Sequence, residues 1–234
     1  MGDAPVGRDR ERPAQPKAVV SWSSGKDAAY ALWTARRDGA VEIVGLLTTV
    51  TREFARVSMH GVREELLDRQ AAALGLPVKK VGIPSPCPNE VYERAMAAAV
   101  AEFEREGVQK VLFGDLFLED VRTYRESRLA QTGVRSLFPL WGRDTAQLAR
   151  EMIASGLEAY VCCLDPRRLP RSFGGRTFDT SFLRDLPESV DPCGENGEFH
   201  TFVAGGPMFS RPVPVGIGKT VERDGFVFTD LVPR

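Results

Sequence analysis

The chain has 234 residues, 43% hydrophobic and 27% charged, with 31 Lys and Arg against 32 Asp and Glu and a formal net charge of −1. A chain of this length buries a substantial core without staples, and the even charge balance gives no support for a broad nucleic-acid footprint while leaving a local basic patch open. The four cysteines, Cys87, Cys162, Cys163 and Cys193, show no C-x-x-C spacing, which argues against a disulfide framework and for a reducing, cytoplasmic compartment.

Residues 1–17 are rich in Pro, Arg, Asp and Glu without an apolar run. They read as a flexible tail rather than a secretory signal, and no apolar stretch is long enough to span a membrane. Ala18 to Trp22 reads as a buried strand that runs into a Ser-Ser-Gly turn. Asp27 to Arg37 carries Ala29, Leu32 and Trp33 at helical spacing and stops at Gly39. Val41 to Val50 is a second strand, Glu64 to Leu74 a helix stopped by Gly75 and Pro77, and Val78 to Ile83 a third strand. Pro88 opens the next helix, where its missing N–H does no harm, and Gly107 closes it. Lys110 to Phe113 is a fourth strand ending at Gly114-Asp115. A further helix reaches Arg128, and Ser136 to Leu140 reads as a short fifth strand.

Strands alternating with helices predict a mostly parallel sheet covered on both faces, a Rossmann-like α/β domain over residues 18–142. Residues 143–234 read as a smaller α+β domain. There Asp144 caps a helix to Ser155, with Gln147 completing a capping-box-like pattern. Ala159 to Leu164 is a strand, and after loop-rich stretches come Val213 to Glu222 and Phe226 to Leu231. Trp22, Trp33 and Trp141 read as core residues.

Parallel sheets take ligands beyond the carboxyl ends of their strands, and Ser23–Asp27, Thr48–Thr51 and Gly114-Asp115 all fall there. In Ser23-Ser24-Gly25-Lys26-Asp27, small residues let backbone approach a ligand, and a helix N-terminus favours phosphate. The two serines add donors, Lys26 offsets negative charge, and Asp27 either holds magnesium or anchors the helix. The Walker pattern fails at Val20 and Asp27. Composition alone leaves a small-residue turn, with Asp27 a mere cap, equally open. Asp115 reads as a magnesium or substrate ligand or as a cap, and His60 as an adenine contact or a local structural group. A second cluster, Glu195, Glu198, His200 and Thr201, follows Cys193. On a strand starting near Glu198, Glu198 and His200 share a face. The cluster is suited to binding magnesium, positioning an amine or ammonium, or moving a proton; a solvated surface turn is the alternative. Cys193 has no partner histidine at a nucleophile's spacing and reads as packing, the role of Cys87 stays open, and no zinc-ligand spacing occurs.

Ser23 to Ala28 resembles the S-G-G-x-D-S loop of PP-loop ATP pyrophosphatases, with Ser24 for the first glycine and Ala28 for the final serine. Ser58-Met59-His60-Gly61, Cys87-Pro88-Asn89, Gly114-Asp115, Pro139-Leu140-Trp141 and Cys193 through Thr201, in this order, are similar to the diphthine–ammonia ligase-like branch of those proteins, in a bacterial-type form. The resemblance implies ATP and Mg2+ as cofactors, with Ser23, Ser24, Gly25, Lys26, Asp27, His60, Gly114 and Asp115 around the nucleotide and Asp27 and Asp115 at the metal. It further implies catalytic roles for Lys26, Asp27, Glu195, Glu198 and His200, with Glu195 and Thr201 at the substrate. The implied reaction activates a small-molecule or protein carboxylate as an acyl-adenylate for attack by ammonia or an amine, free ammonia being favoured by Gly2 in place of a cysteine. ATP binding is expected to need the first domain alone and amide formation both, with Glu195 to Thr201 facing Ser23 to Asp27 across a cleft. An RNA-modifying PP-loop enzyme is disfavoured by the absence of paired cysteines and of a basic added domain. A nucleotide-sensing module without catalysis is supported by Ala28 and opposed by the glutamate cluster. The carboxylate and the oligomeric state, a homo-oligomer included, stay open.

Overall fold

Alternation of short apolar strands with amphipathic helices yields two sheets joined through one core. The structure, a computed structural model, describes residues 15–234; the expected tail over residues 1–14 lies outside the described residues, and Lys17 already belongs to a strand. The chain runs β1 (Lys17–Ser21), α1 (Lys26–Asp38), β2 (Glu42–Thr51), β3 (Arg56–Val57), α2 (Glu64–Leu74), β4 (Val78–Ile83), α3 (Asn89–Arg105), β5 (Val108–Leu112), α4 (Glu119–Leu129) and β6 (Arg135–Leu137). There follow α5 (Thr145–Ala154), β7 (Glu158–Leu164), α6 (Thr180–Asp185), β8 (Phe199–Gly205), β9 (Val215–Arg223) and β10 (Phe226–Pro233).

In the six-stranded sheet, β1 pairs in parallel with β2 and β5, β2 with β4, and β5 with β6; only β3 is antiparallel, on the end of β2. The second sheet is antiparallel, in the order β8-β7-β10-β9. The architecture is α/β with a mostly parallel sheet plus a smaller antiparallel sheet carried by the C-terminal part. Along β1 the side chains divide by parity. Ala18 and Val20 join the cluster containing Leu32 of α1 and Leu66 of α2, whereas Val19 packs with Val100, Val111 and Leu129 towards α3 and α4. The first cluster continues into the second sheet through Val161, Phe199 and Phe202. Helices α1 and α2 therefore lie in a core common to both sheets. Leu32 is fully buried there; its truncation to alanine would cost about 2–5 kcal/mol.

Differences from the sequence reading have local causes. Strand β6 stops at Leu137 instead of reaching Leu140, because Pro139 offers no N–H to the ladder. Pro214 likewise delays β9 to Val215. Asp144 caps α5 by accepting from Gln147 N at 2.7 Å, but the Gln147 side chain donates to Glu151 rather than closing a reciprocal box. Helix α6, read as loop, has six residues and is capped by Asp179, which accepts from Phe182 N at 2.8 Å. Trp22 is buried, whereas Trp33 and Trp141 are half-buried beneath Arg37 and Arg122. No helix among the described residues is long and apolar enough to cross a membrane.

Candidate active site

The turn after β1 is held from three sides. Ser24 adopts a left-handed backbone (φ 71°) and is fully buried. Its carbonyl accepts from Gln70 Nε2 of α2 at 3.2 Å and from Val203 N of β8 at 2.9 Å. Gln70, fully buried, also donates to Val203 O at 2.7 Å and accepts from Trp22 Nε1 at 3.0 Å. Lys26 N donates to Thr201 Oγ1 at 3.1 Å. The phosphate-type loop is thus completed by β8 of the second sheet. Two glycines allow the close approach. A Cβ on Gly25 would lie 3.0 Å from His60 Nε2 and 3.2 Å from Thr201 O, and one on Gly114 would lie 2.7 Å from Ala28 N.

Ser23, Asp27, Gly114, Asp115, Glu195, His200 and Thr201 line one cleft of about 240 Å3, with His60 beside them. The cleft brings together residues of the turn after β1, the loop after β5, the loop before β8 and β8 itself. Four expected site residues fall outside its lining. Gly25 presents backbone beneath His60. The Ser24 hydroxyl points into the interior without a hydrogen-bond partner, contrary to its expected role as a donor at the phosphates. Lys26, also expected there, is buried, and its ammonium pairs with Asp27 at 2.8 Å and with the Cys193 carbonyl, over the rings of Phe178 and Phe199. Burial alone would depress its pKa, but Asp27 more than offsets this and holds it above the usual value.

The fourth is Glu198, one residue before β8, so it does not share a strand face with His200. Its side chain is fully buried, Oε1 accepting from Asp191 N and Asn196 Nδ2, both at 3.1 Å, while Oε2 is unpartnered and Arg168 stands 3.9 Å away. Asp191 in turn accepts from Cys193 N at 3.1 Å and Glu195 N at 2.9 Å. The loop is braced from inside by Glu198 and delivers Glu195 to the cleft, where Glu195 Oε1 accepts from Leu116 N at 2.7 Å. Burial, with Asp27 and Asp115 nearby, pushes the Glu195 carboxyl up to about 7 against the opposing Leu116 N–H.

His60 and His200 stack with ring centroids 4.6 Å apart. Burial and the nearby Lys26 charge lower His200 to about 4, and burial with the facing His200 lowers His60 well below its usual value. Both are neutral at pH 7. Asp115 is forked by Arg125, with Nη2 at 3.0 Å, and Asp27 is paired with Lys26. Among the described residues no group of three or more His, Cys, Asp or Glu is arranged to hold a metal ion. The described residues alone therefore build no closed metal cage, although magnesium with phosphate and water ligands needs only one or two carboxylates. Thr48 lies outside the cleft, its hydroxyl donating to Trp22 O at 2.8 Å. Burial raises the Cys193 thiol, whose Sγ meets Thr145 O at 3.4 Å, and Cys87 does not line the cleft.

Sequence reasoning missed two residues. Gln70 was one polar member of an amphipathic helix, and nothing local marks its 0% exposure. Arg125 lines the cleft and also an adjoining apolar groove of about 400 Å3 between α3 and α4, floored by Leu47, Val100, Val111 and Phe113.

Residues 16–136 match the diphthamide synthase N-terminal domain and residues 144–227 the diphthamide synthase C-terminal domain. Diphthine–ammonia ligases of Rattus norvegicus and Homo sapiens are each 26% identical over 231 residues, covering 89% of this chain and 86% of the relative. The Danio rerio diphthine–ammonia ligase is 29% identical over 185 residues, 73% of this chain and 72% of the relative. With both domains matched in order, and with the turn after β1 and the Glu195 loop brought to one cleft, the chain belongs to the diphthamide synthase family of PP-loop enzymes.

Proposed function

We propose that the chain is an ATP-dependent carbon–nitrogen ligase that converts a carboxylate to an amide with ammonia, forming AMP and pyrophosphate. One observation carries this reading: the turn after β1, suited to phosphate, opens on the same cleft as a carboxylate with a pKa of about 7. In the proposed first step a carboxylate oxygen bonds to the α-phosphorus, and the bond to the β-phosphate oxygen breaks with its electron pair, releasing pyrophosphate. In the second, ammonia nitrogen bonds to the acyl carbon and AMP leaves. Ammonium must lose a proton before it can attack. Glu195, titrating near neutrality beside two further carboxylates, is suited to attract ammonium and take that proton. His60 and His200, neutral and stacked on each other with His60 against Gly25, contribute shape and hydrogen bonding rather than charge. Positioning supplies most of the rate in such a scheme.

For the nucleotide, the phosphates belong at Ser23–Asp27 and the base in the apolar groove entered past Phe113, which lines both spaces. Magnesium would arrive with ATP and meet Asp27, screening phosphate charge. The whole protein incubated with ATP, magnesium, ammonium and a metabolite pool should yield AMP, pyrophosphate and a new amide by mass spectrometry. Stoichiometric ADP in place of AMP would reject the reading.

A further inference from the structure

The cleft is lined by three carboxylates, Asp27, Asp115 and Glu195, yet the reaction proposed above brings anions into it. Among its lining residues Arg125 is the one permanent cation, since the Lys26 ammonium is turned into the core. Arg125 sits where the cleft meets the apolar groove and lines both. Its guanidinium stacks on Phe113 at 4.4 Å from the ring centroid and forks onto Asp115 through Nε and Nη2. These contacts fix its plane, and the side chain keeps 27% exposure. Nη1 has no hydrogen-bond partner among the described residues.

We propose that Arg125 is the anion-binding side chain of this site and that its ligand is the α-phosphate of the adenine nucleotide. The inference rests on the reading that the base enters the groove and the outer phosphates lie on the turn after β1. A nucleotide so placed crosses the junction at its ribose and α-phosphate, and the junction is where Arg125 stands. As the carboxylate oxygen adds to the α-phosphorus, negative charge grows on that phosphorus's non-bridging oxygens. The electron pair of the breaking bond leaves with pyrophosphate. A guanidinium already oriented by Phe113 and Asp115 meets the growing charge without reorganisation. Arg125 is then a catalytic residue for the first step, and Asp115 is the positioning residue that aims it.

Calorimetric titration of the whole protein with ATP, AMP and adenosine, in EDTA so that no divalent ion bridges the phosphates, tests this. Arg125→Gln should weaken ATP and AMP by the same factor, roughly tenfold or more as for a lost charge-assisted hydrogen bond, and leave adenosine unchanged. Arg125→Lys, which keeps the charge but loses the fork, should fall between. Arg122→Gln, one turn away over Phe138 and Trp141, should change none of the three. Retained adenosine affinity shows that the variants fold and keep the groove. Weakening of ATP alone would move Arg125 to the outer phosphates and overturn the proposal, as would unchanged ATP and AMP affinities or an equal loss for adenosine. If the unaltered protein binds no adenine nucleotide at all, the ligase reading itself falls, and the proposal with it.

Discussion

Glu195 and Glu198 are three residues apart and end in opposite surroundings. Glu195 reaches the cleft with a carboxyl raised to about 7; Glu198 is sealed inside, holding Asp191 and Asn196. The proposed proton transfer therefore belongs to Glu195. Glu195→Gln should leave ATP affinity intact and slow AMP release about a hundredfold or more. The unaltered enzyme should speed up as pH rises through about 7, since the ionised form is the base; a flat profile in ammonium-saturated assays would remove Glu195 from that role. The same shift predicts stability. A carboxyl whose pKa is raised on folding stabilises fully below its unfolded value, and that contribution is lost as pH rises through 7. Glu195→Gln should hence be more stable than the native chain at mildly alkaline pH, by about 1–2 kcal/mol after allowance for solvent screening. Glu198 acts through the loop. Glu198→Ala removes a fully buried acceptor of the Asp191 N–H and the Asn196 amide and should cost about 1–3 kcal/mol in denaturant unfolding, whereas Glu198→Gln retains the accepting oxygen and should cost less. Residue types in the Glu195 loop were legible as a chemical cluster, but their directions were not. Facing depends on Asp191, which accepts from two backbone N–H groups, and no periodicity reports that. Lys26 was misread for a similar reason: its carbonyl partner, Cys193, is 167 residues away.

Elements were legible where one strong local signal sufficed. Helix α2 and strand β4 have the bounds expected from apolar spacing and the Gly75 stop. The two-residue β3 and the six-residue α6 carry too little pattern to register. What the apolar pattern could not convey is how closely α1 approaches its neighbours. The N-terminus of α1 is hemmed by Gly114 on one side and by the Thr201 carbonyl near Gly25 on the other. Gly114→Ala would place a methyl 2.7 Å from backbone nitrogen, which can be relieved only by moving α1. A loss of about 1–3 kcal/mol follows, as for overpacking, together with weaker ATP binding. Gly25→Val should abolish nucleotide binding, because its added atoms enter the space of His60 and Thr201. Thermal unfolding and ATP titration of both variants check this pair. A stable Gly25→Val protein that binds ATP normally would remove the turn from the nucleotide site.

At the scale of the whole molecule, the alternation of strands and helices suggested two units, 18–142 and 143–234, and the family resemblance confined nucleotide binding to the first. The contacts argue for tighter dependence. Ser24 O and Lys26 N, both in the turn after β1, are hydrogen-bonded to β8, and one apolar cluster runs from Ala18 and Leu32 to Val161 and Phe202. Gln70 spans the same junction from α2. Removing residues 143–234 would therefore expose the face of α1 and α2 that packs on the second sheet and release the turn from two of its backbone restraints. Exposed apolar surface of that kind favours association or loose packing, and a turn with a left-handed serine has little reason to hold its shape alone. A chain ending at residue 142 should thus show reduced cooperativity in thermal unfolding and no measurable ATP binding. Supplying residues 143–234 as a separate chain should restore both in part, because the lost restraints are hydrogen bonds and packing rather than the covalent link. Full ATP affinity in the isolated first segment would show that the turn is self-sufficient, and would return the second sheet to a role in the amide-forming step alone.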